Sequence, residues 1–188
     1  HEVLQEEQRI MDQVVILAGG HGSRMKAAIP KPMLEVLGVP MLGWVVQACE
    51  AADLRNICVV TGYKSQFIEH YLNNKYKTVL QAERLGTGHA VMQAVPVLEE
   101  NPDGNTLVLC GDAPFMDSET IQQAYQLHYA LDSVLHVQTM DDHYPYNRHP
   151  SRHPSLLHSS EESLHNGRLE RLMFQYDEMM CILTDCNI

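Results

Sequence analysis

The stretch VVILAGGHGSRMKAAIPKPM, Val14 to Met33, decides how the rest of the chain is read. Val14 to Leu17 is an apolar, β-branched run that ends at glycine, the pattern of a strand buried on both faces. Gly19, Gly20 and Gly22 follow, and then Arg24, Lys26 and Lys31. Exposed backbone N–H groups in such a turn form a cradle for an anion. Arg24 can grip phosphate oxygens bidentately, and Lys31 can act as a mobile point charge. The spacing is not that of a Walker A loop, and it is not G-x-G-x-x-G, so neither fingerprint applies. The competing reading is that the glycines only turn the chain and the cations face water.

The same design recurs downstream. NICVVTGY (56–63), KTVLQAE (77–83), NTLVLCGDAPF (105–115) and SVLHVQTM (133–140) read as further strands. Between them MLGWVVQACEAAD (41–53), KSQFIEHYLNN (64–74), GTGHAVMQAVPVLEE (86–100) and DSETIQQAYQLHYALD (117–132) have helical spacing. Ser65 is the expected cap of the second helix, and Asp117 with Thr120 that of the fourth. Alternating strands and helices predict an α/β fold, with a doubly wound, mostly parallel, Rossmann-like sheet. Ligands of such sheets bind beyond the carboxyl ends of the strands. That rule selects three places: Gly19–Arg24, Gln81–Gly88 and Gly111–Asp112.

Composition limits the partners. A chain of 188 residues, 45% hydrophobic and 20% charged, fits one globular domain with a sizeable core. The net charge of −11 argues against nucleic acid or an anionic membrane as partner, so a phosphate ligand must be drawn by local cations. The five cysteines, at 49, 58, 110, 181 and 186, form no C-x-x-C pair and read as reduced thiols. The polar start HEVLQEEQRI reads as a helical lead-in rather than a signal peptide, and no apolar run reaches membrane-span length, so a cytoplasmic place is expected.

After Met140 the character changes: the text is rich in His, Ser and Pro and carries the tandem RHPSRHPS at 148–155. Repeated prolines predict an irregular loop there rather than a zinc site. GRLERLMFQYD (167–177) then resumes a strand-like pattern, and ILTDCNI is an apolar run that breaks off abruptly.

Asp112 ends an apolar strand, in the cleft. A carboxylate there suits Mg²⁺, which prefers one or two carboxylates plus substrate phosphate oxygens; the plain alternative is a capping aspartate. A phosphate cradle beside such a carboxylate implies phosphoryl or nucleotidyl transfer. Gln81 carries both a donor and an acceptor, as a pyrimidine edge requires, and Gly86 and Gly88 allow close backbone approach to a flat ring. Alone, that segment also reads as an ordinary loop leading into a helix.

Together, LAGGHGSRM…PKPM, VLQAERLGTGHAVMQA and LVLCGDAPF closely resemble the uridylyltransferase domain of bacterial UDP-N-acetylglucosamine pyrophosphorylases, within the sugar nucleotidyltransferases. The resemblance implies one nucleotidyltransferase domain over 1–188, with its nucleotide core at 14–142 and a divergent sugar-binding part at 143–188. It also implies that the β-helix acetyltransferase domain of the relatives is not in this stretch. Leu17, Ala18, Gly19 and Gly20 match the loop that contacts the nucleotide. Arg24 and Lys31 match residues that hold and activate the triphosphate, and Gln81, Gly86 and Thr87 match uracil recognition. Cys110 falls by the sugar, where relatives have an aromatic residue. Gly111 and Asp112 match the strand end that brings in the Mg²⁺ ligand.

The implied reaction joins UTP and N-acetylglucosamine 1-phosphate to give UDP-N-acetylglucosamine and pyrophosphate, with Mg²⁺. In the glycine loop His21 replaces a basic residue; the other departures lie toward the sugar, where, besides Cys110, Asn147 replaces a glycine and Phe174 and Asn187 are poor matches to later family positions. A related transferase with another sugar or nucleotide, or a nucleotide-binding module without turnover, therefore also fits.

Overall fold

The computed structural model describes residues 12–20, 28–102, 104–131, 135–139 and 179–185. The expected N-terminal helix, Arg24 with the rest of its loop, RHPSRHPS and the strand-like 167–177 lie outside the described residues.

The core strands are β1 (Gln13–Leu17), β4 (Asn56–Thr61), β5 (Lys77–Leu80) and β6 (Asn105–Cys110). They pair in parallel in the order β5-β4-β1-β6. The helices α1 (Met41–Ala51), α2 (Ser65–Leu72), α3 (Thr87–Leu98) and α4 (Ser118–Leu131) alternate with these strands. Side chains on a strand point alternately to its two faces, and both faces of β1 are covered. Val14 and Ile16 pack with Leu42, Val45, Ile68, Ile121 and Tyr125, from α1, α2 and α4. Val15 packs with Ala90, Val91, Ala94 and Leu98 of α3. The sheet is thus doubly wound, as its apolar runs require.

The chain builds β4 and β5 on one side of β1, then crosses through α3 to place β6 on the other. The gap between the ends of β1 and β6 is the topological switch point, where sheets of this type open a crevice.

One expectation, the Ser65 cap, is corrected, and two features were not foreseen. The fifth strand, β7 (Leu135–Thr139), does not lie beside β6. A further strand, β8 (Met179–Asp185), occupies that slot and pairs antiparallel with both. β7 therefore runs in the direction of the core strands, one place further out. Ser65 is the first residue of α2 rather than its cap. Lys64 stands before it at φ 52°, ψ 46°, and no side chain caps the helix. The chain enters instead through a tight turn, with Ser65 N–H donating to Gly62 O at 3.1 Å. The segment before α1 is a small hairpin, β2 (Glu35–Val36) with β3 (Val39–Pro40), turned through Leu37 and Gly38 at positive φ. Trp44 Nε1 ties it to α1 by donating to Val36 O at 2.9 Å.

Asp117 caps α4 as expected, its Oδ1 accepting from Thr120 N–H at 2.7 Å. That bond, first among the causes, holds the carboxyl below the ordinary aspartate value of 3.8. Asp117→Ala is expected to cost about 1 kcal/mol, the usual worth of a cap. The sign follows from the lowered folded-state value. The contribution is whole above pH 3.8 and is lost as the pH falls through that lower value. Denaturant curves of the two proteins should therefore differ by a constant amount near neutrality and converge in acid.

Candidate active site

The strand ends of the switch point are laced together by their backbones. Ala18 N–H donates to Val60 O at 2.8 Å, Gly111 N–H to Leu17 O at 2.9 Å, and Gln81 N–H to Thr61 O at 2.8 Å. Four segments, 17–20, 60–62, 81–86 and 110–112, thereby form one rim. At Gly62 the contact is close enough to demand glycine, and at Gly111 it is tight. A Cβ on Gly62 would stand 2.7 Å from Gly19 O and 2.8 Å from Gly19 Cα. One on Gly111 would stand 3.1 Å from Leu17 O. Gly19 is buried in this seam, whereas Gly20 is exposed with nothing within 4 Å of its would-be Cβ.

Lys31 arrives by a short route. The sequence Pro-Lys-Pro-Met closes a 3₁₀ turn over Lys31–Met33 that anchors Pro32 in the interior. From there Lys31 Nζ makes an ion pair and hydrogen bond with Asp112 Oδ2, both side chains being about one-third exposed (39% and 32%). The structure brings these two expected residues together at the β1/β6 gap. Arg24 lies outside the described residues.

Asp112 is a partly exposed carboxylate just past a strand end, a donor that fits Mg²⁺ whose remaining ligands are substrate oxygens and water. Among the described residues no cluster of three His, Cys, Asp or Glu side chains could hold a metal without help from substrate. Cys110 precedes this pair on β6. Burial first, and the Asp112 charge second, push its thiol up to about 11, so it is protonated at neutral pH and no nucleophile. Burial likewise raises Cys49 to about 12 and Cys58 to about 11, and none of the three is in a disulfide.

The third strand end holds Gln81, only 6% exposed. Its Nε2 donates to Gly86 O at 3.0 Å and lies 3.1 Å from His89 Nδ1. The donor side of the carboxamide is spent inward on its own loop, while Oε1 lies 3.1 Å from the Cβ position of Gly19. Gly86 sits at φ 106°, ψ −179°, a backbone conformation open essentially to glycine alone, and from it Thr87 starts α3. A residue other than glycine would misdirect both the loop and the helix entry.

Two contributors escaped the sequence reading. Gly62 ends an apolar run as Gly19 and Gly111 do, and that shared pattern was the signal. His89 carried no signal beyond its nearness to Gln81. A separate groove of about 230 Å³ lies at the opposite, amino-terminal ends of the strands, bordered by Arg55, Asn56, Lys75, Lys77 and Glu100. It has no connection to these motifs. Among the described residues no helix is long and apolar enough to cross a membrane.

Comparison with known proteins agrees with this architecture. Over 127 residues the chain is 39% identical to the bifunctional protein GlmU of Symbiobacterium thermophilum, covering 68% of this chain and 27% of that protein. Over 163 residues it is 34% identical to the bifunctional protein GlmU of Bacillus cereus AH187, covering 87% and 33%. The chain thus spans about a quarter to a third of the length of these curated relatives. Among solved structures, HddC from Yersinia pseudotuberculosis complexed with GMP-PN aligns with a TM-score of 0.51 at 27% identity, over 70% of this chain and 64% of that one. Residues 14–179 match the family model described as the MobA-like NTP transferase domain, and the chain belongs to that family.

Proposed function

We propose that this domain transfers a uridylyl group from UTP to N-acetylglucosamine 1-phosphate, giving UDP-N-acetylglucosamine and pyrophosphate. The observation that carries the reading is the meeting of Lys31 and Asp112 at the β1/β6 switch point, on the rim that also holds Gly19 and Gln81. In the transfer, a phosphate oxygen of the sugar phosphate attacks the α-phosphorus of UTP. The α–β bridging bond breaks, and its electron pair leaves with pyrophosphate. No enzyme nucleophile is needed, which suits a rim whose one thiol, Cys110, stays protonated.

Each residue has a share in this scheme. The backbone of Leu17, Ala18, Gly19 and Gly20 lies along the nucleotide. Lys31 and Arg24 bind triphosphate oxygens. Gln81 offers its carbonyl oxygen to the uracil N3–H, while Gly86 and Thr87 let the ring approach the backbone. Cys110 and Gly111 border the sugar phosphate. Asp112 would hold Mg²⁺, whose contribution when bound is to offset charge on the transferring phosphorus and the leaving group. Lys31 cannot pair with Asp112 and with phosphate at full strength together, so nucleotide binding draws it off the carboxylate and frees that carboxylate for the cation. Cys49, Cys58 and Cys110 are reduced thiols outside any disulfide, which supports a reducing, cytoplasmic setting.

Cys110 favours a second reading on the sugar side. A small thiol leaves space where relatives are bulkier, so another hexosamine phosphate could be the acceptor. Pyrophosphate release, measured with four nucleoside triphosphates against a panel of sugar 1-phosphates, tests both. Release with UTP and N-acetylglucosamine 1-phosphate that requires Mg²⁺ is the expected result. UTP binding without release would instead mark a non-catalytic module, and no nucleotide binding would contradict the reading altogether.

A further inference from the structure

His89 stands between two glutamine amides. Gln81 Nε2 is 3.1 Å from its Nδ1, and Gln93 Nε2 is 3.2 Å from its Nε2. A neutral imidazole has one bare nitrogen and one N–H, so it can accept from only one of the two. The surroundings decide which. Gln81 is buried, and Gly86 O already fixes its amide by accepting at 3.0 Å. Turning that carboxamide over would set Oε1 against Gly86 O, acceptor against acceptor. Gln93 is less buried, one helical turn along α3, and its other partner among the described residues is His89 O, to which Nε2 donates at 3.2 Å. Being partly exposed, Gln93 can give up that longer bond to water and swing so that its carbonyl oxygen, or water in its place, accepts from the ring N–H. The bare nitrogen is then Nδ1, and the proton sits on Nε2.

With both amide hydrogens of Gln81 used, its carbonyl oxygen is what remains to face Gly19 and the nucleotide rim. No described residue donates to that oxygen. We propose that His89 is a positioning residue for base selection: by accepting at Nδ1 it locks the Gln81 carboxamide so that the rim presents an acceptor and no donor. The inference rests on the proposed uridylyl transfer. A base then has to bring an N–H to Gln81 Oε1. Uracil does so with N3–H. Cytosine has a bare N3 and meets lone pair with lone pair. His89 is one of two locks, the other being Gly86 O, so its removal loosens selection without abolishing it.

His89→Leu removes the acceptor, and His89→Asn keeps one, since the side-chain Oδ1 can stand where Nδ1 stood. The ratio of kcat/KM for UTP to that for CTP is expected to fall about fivefold in His89→Leu, the net worth of one hydrogen bond. Most of the change should lie in the two KM values, and His89→Asn should recover the ratio. An unchanged ratio in His89→Leu, or an equal loss with both nucleotides in both variants, would overturn the proposal while leaving uridylyl transfer intact. Absence of UTP turnover by the unsubstituted chain would remove both. Independently of any variant's folding, the ¹⁵N shifts of His89 in the unsubstituted protein should report the Nε2–H tautomer, and the Nδ1–H tautomer would contradict the lock.

Discussion

Asp112→Asn is expected to lower pyrophosphate release by about 10²–10³-fold, the usual effect of deleting one preorganised electrostatic group from a transfer site. The substitution keeps the size of the side chain and removes its charge. Stability should hardly move. The Lys31–Asp112 pair is about one-third exposed on each side (39% and 32%), and such pairs contribute at most about 1 kcal/mol. A large loss of rate with an unchanged denaturation midpoint is therefore the signature of a residue kept for chemistry. Lys31→Ala should share it, with one difference. In the absence of nucleotide this variant leaves Asp112 unpaired, so it should bind Mg²⁺ more tightly than the unsubstituted chain, as calorimetry would read. A loss of stability that matches the loss of rate would instead make the pair structural.

Gly62→Ala should produce the opposite pattern, with stability and activity falling together. The added methyl would sit 2.7 Å from Gly19 O and 2.8 Å from Gly19 Cα. Both are backbone atoms and cannot rotate away, so the ends of β4 and β1 must part. Overpacking of this kind costs about 1–3 kcal/mol. The loop that follows β1 would shift with its strand end, and KM for UTP should rise at least about tenfold if misplacement costs as much as it does in other transfer sites. Gly20→Ala is the control for stability. With nothing within 4 Å of its Cβ position, it should unfold within about 0.5 kcal/mol of the unsubstituted protein.

The contrast between Gly62 and Asp112 shows what could be read from the residues alone. Apolar runs ending in glycine or Gly-Asp state their own meaning, because a buried strand has few ways to end. Those runs, with the strand that ends at Gln81, placed Gly19, Gln81 and Asp112 on one rim of a doubly wound sheet. The Asp117 cap was equally legible, being a local bond three residues long. Ser65 was not, because Lys64 adopts a left-handed conformation and the turn from Gly62, not a side chain, starts the helix. The place of β8 between β6 and β7 was hidden because strand pairing across dozens of residues leaves no local mark.

The direction of Gln81 was hidden for a related reason. A glutamine in a loop carries both a donor and an acceptor, and only the positions of Gly86 O and His89 Nδ1 decide which one is spent. Under the proposed function, Gln81 would offer a base only its carbonyl oxygen. The glycine seam between Gly19 and Gly62 likewise exists only in three dimensions, 43 residues apart in the chain but at contact distance in the fold.

The most direct test is a crystal structure of the chain with UTP and Mg²⁺. The triphosphate is expected along Gly19 and Gly20, with Lys31 on a phosphate oxygen, Asp112 on the cation and uracil N3–H on Gln81 Oε1. UTP bound elsewhere, for example in the groove beside Arg55 and Lys77, with Lys31 still paired to Asp112, would contradict the account.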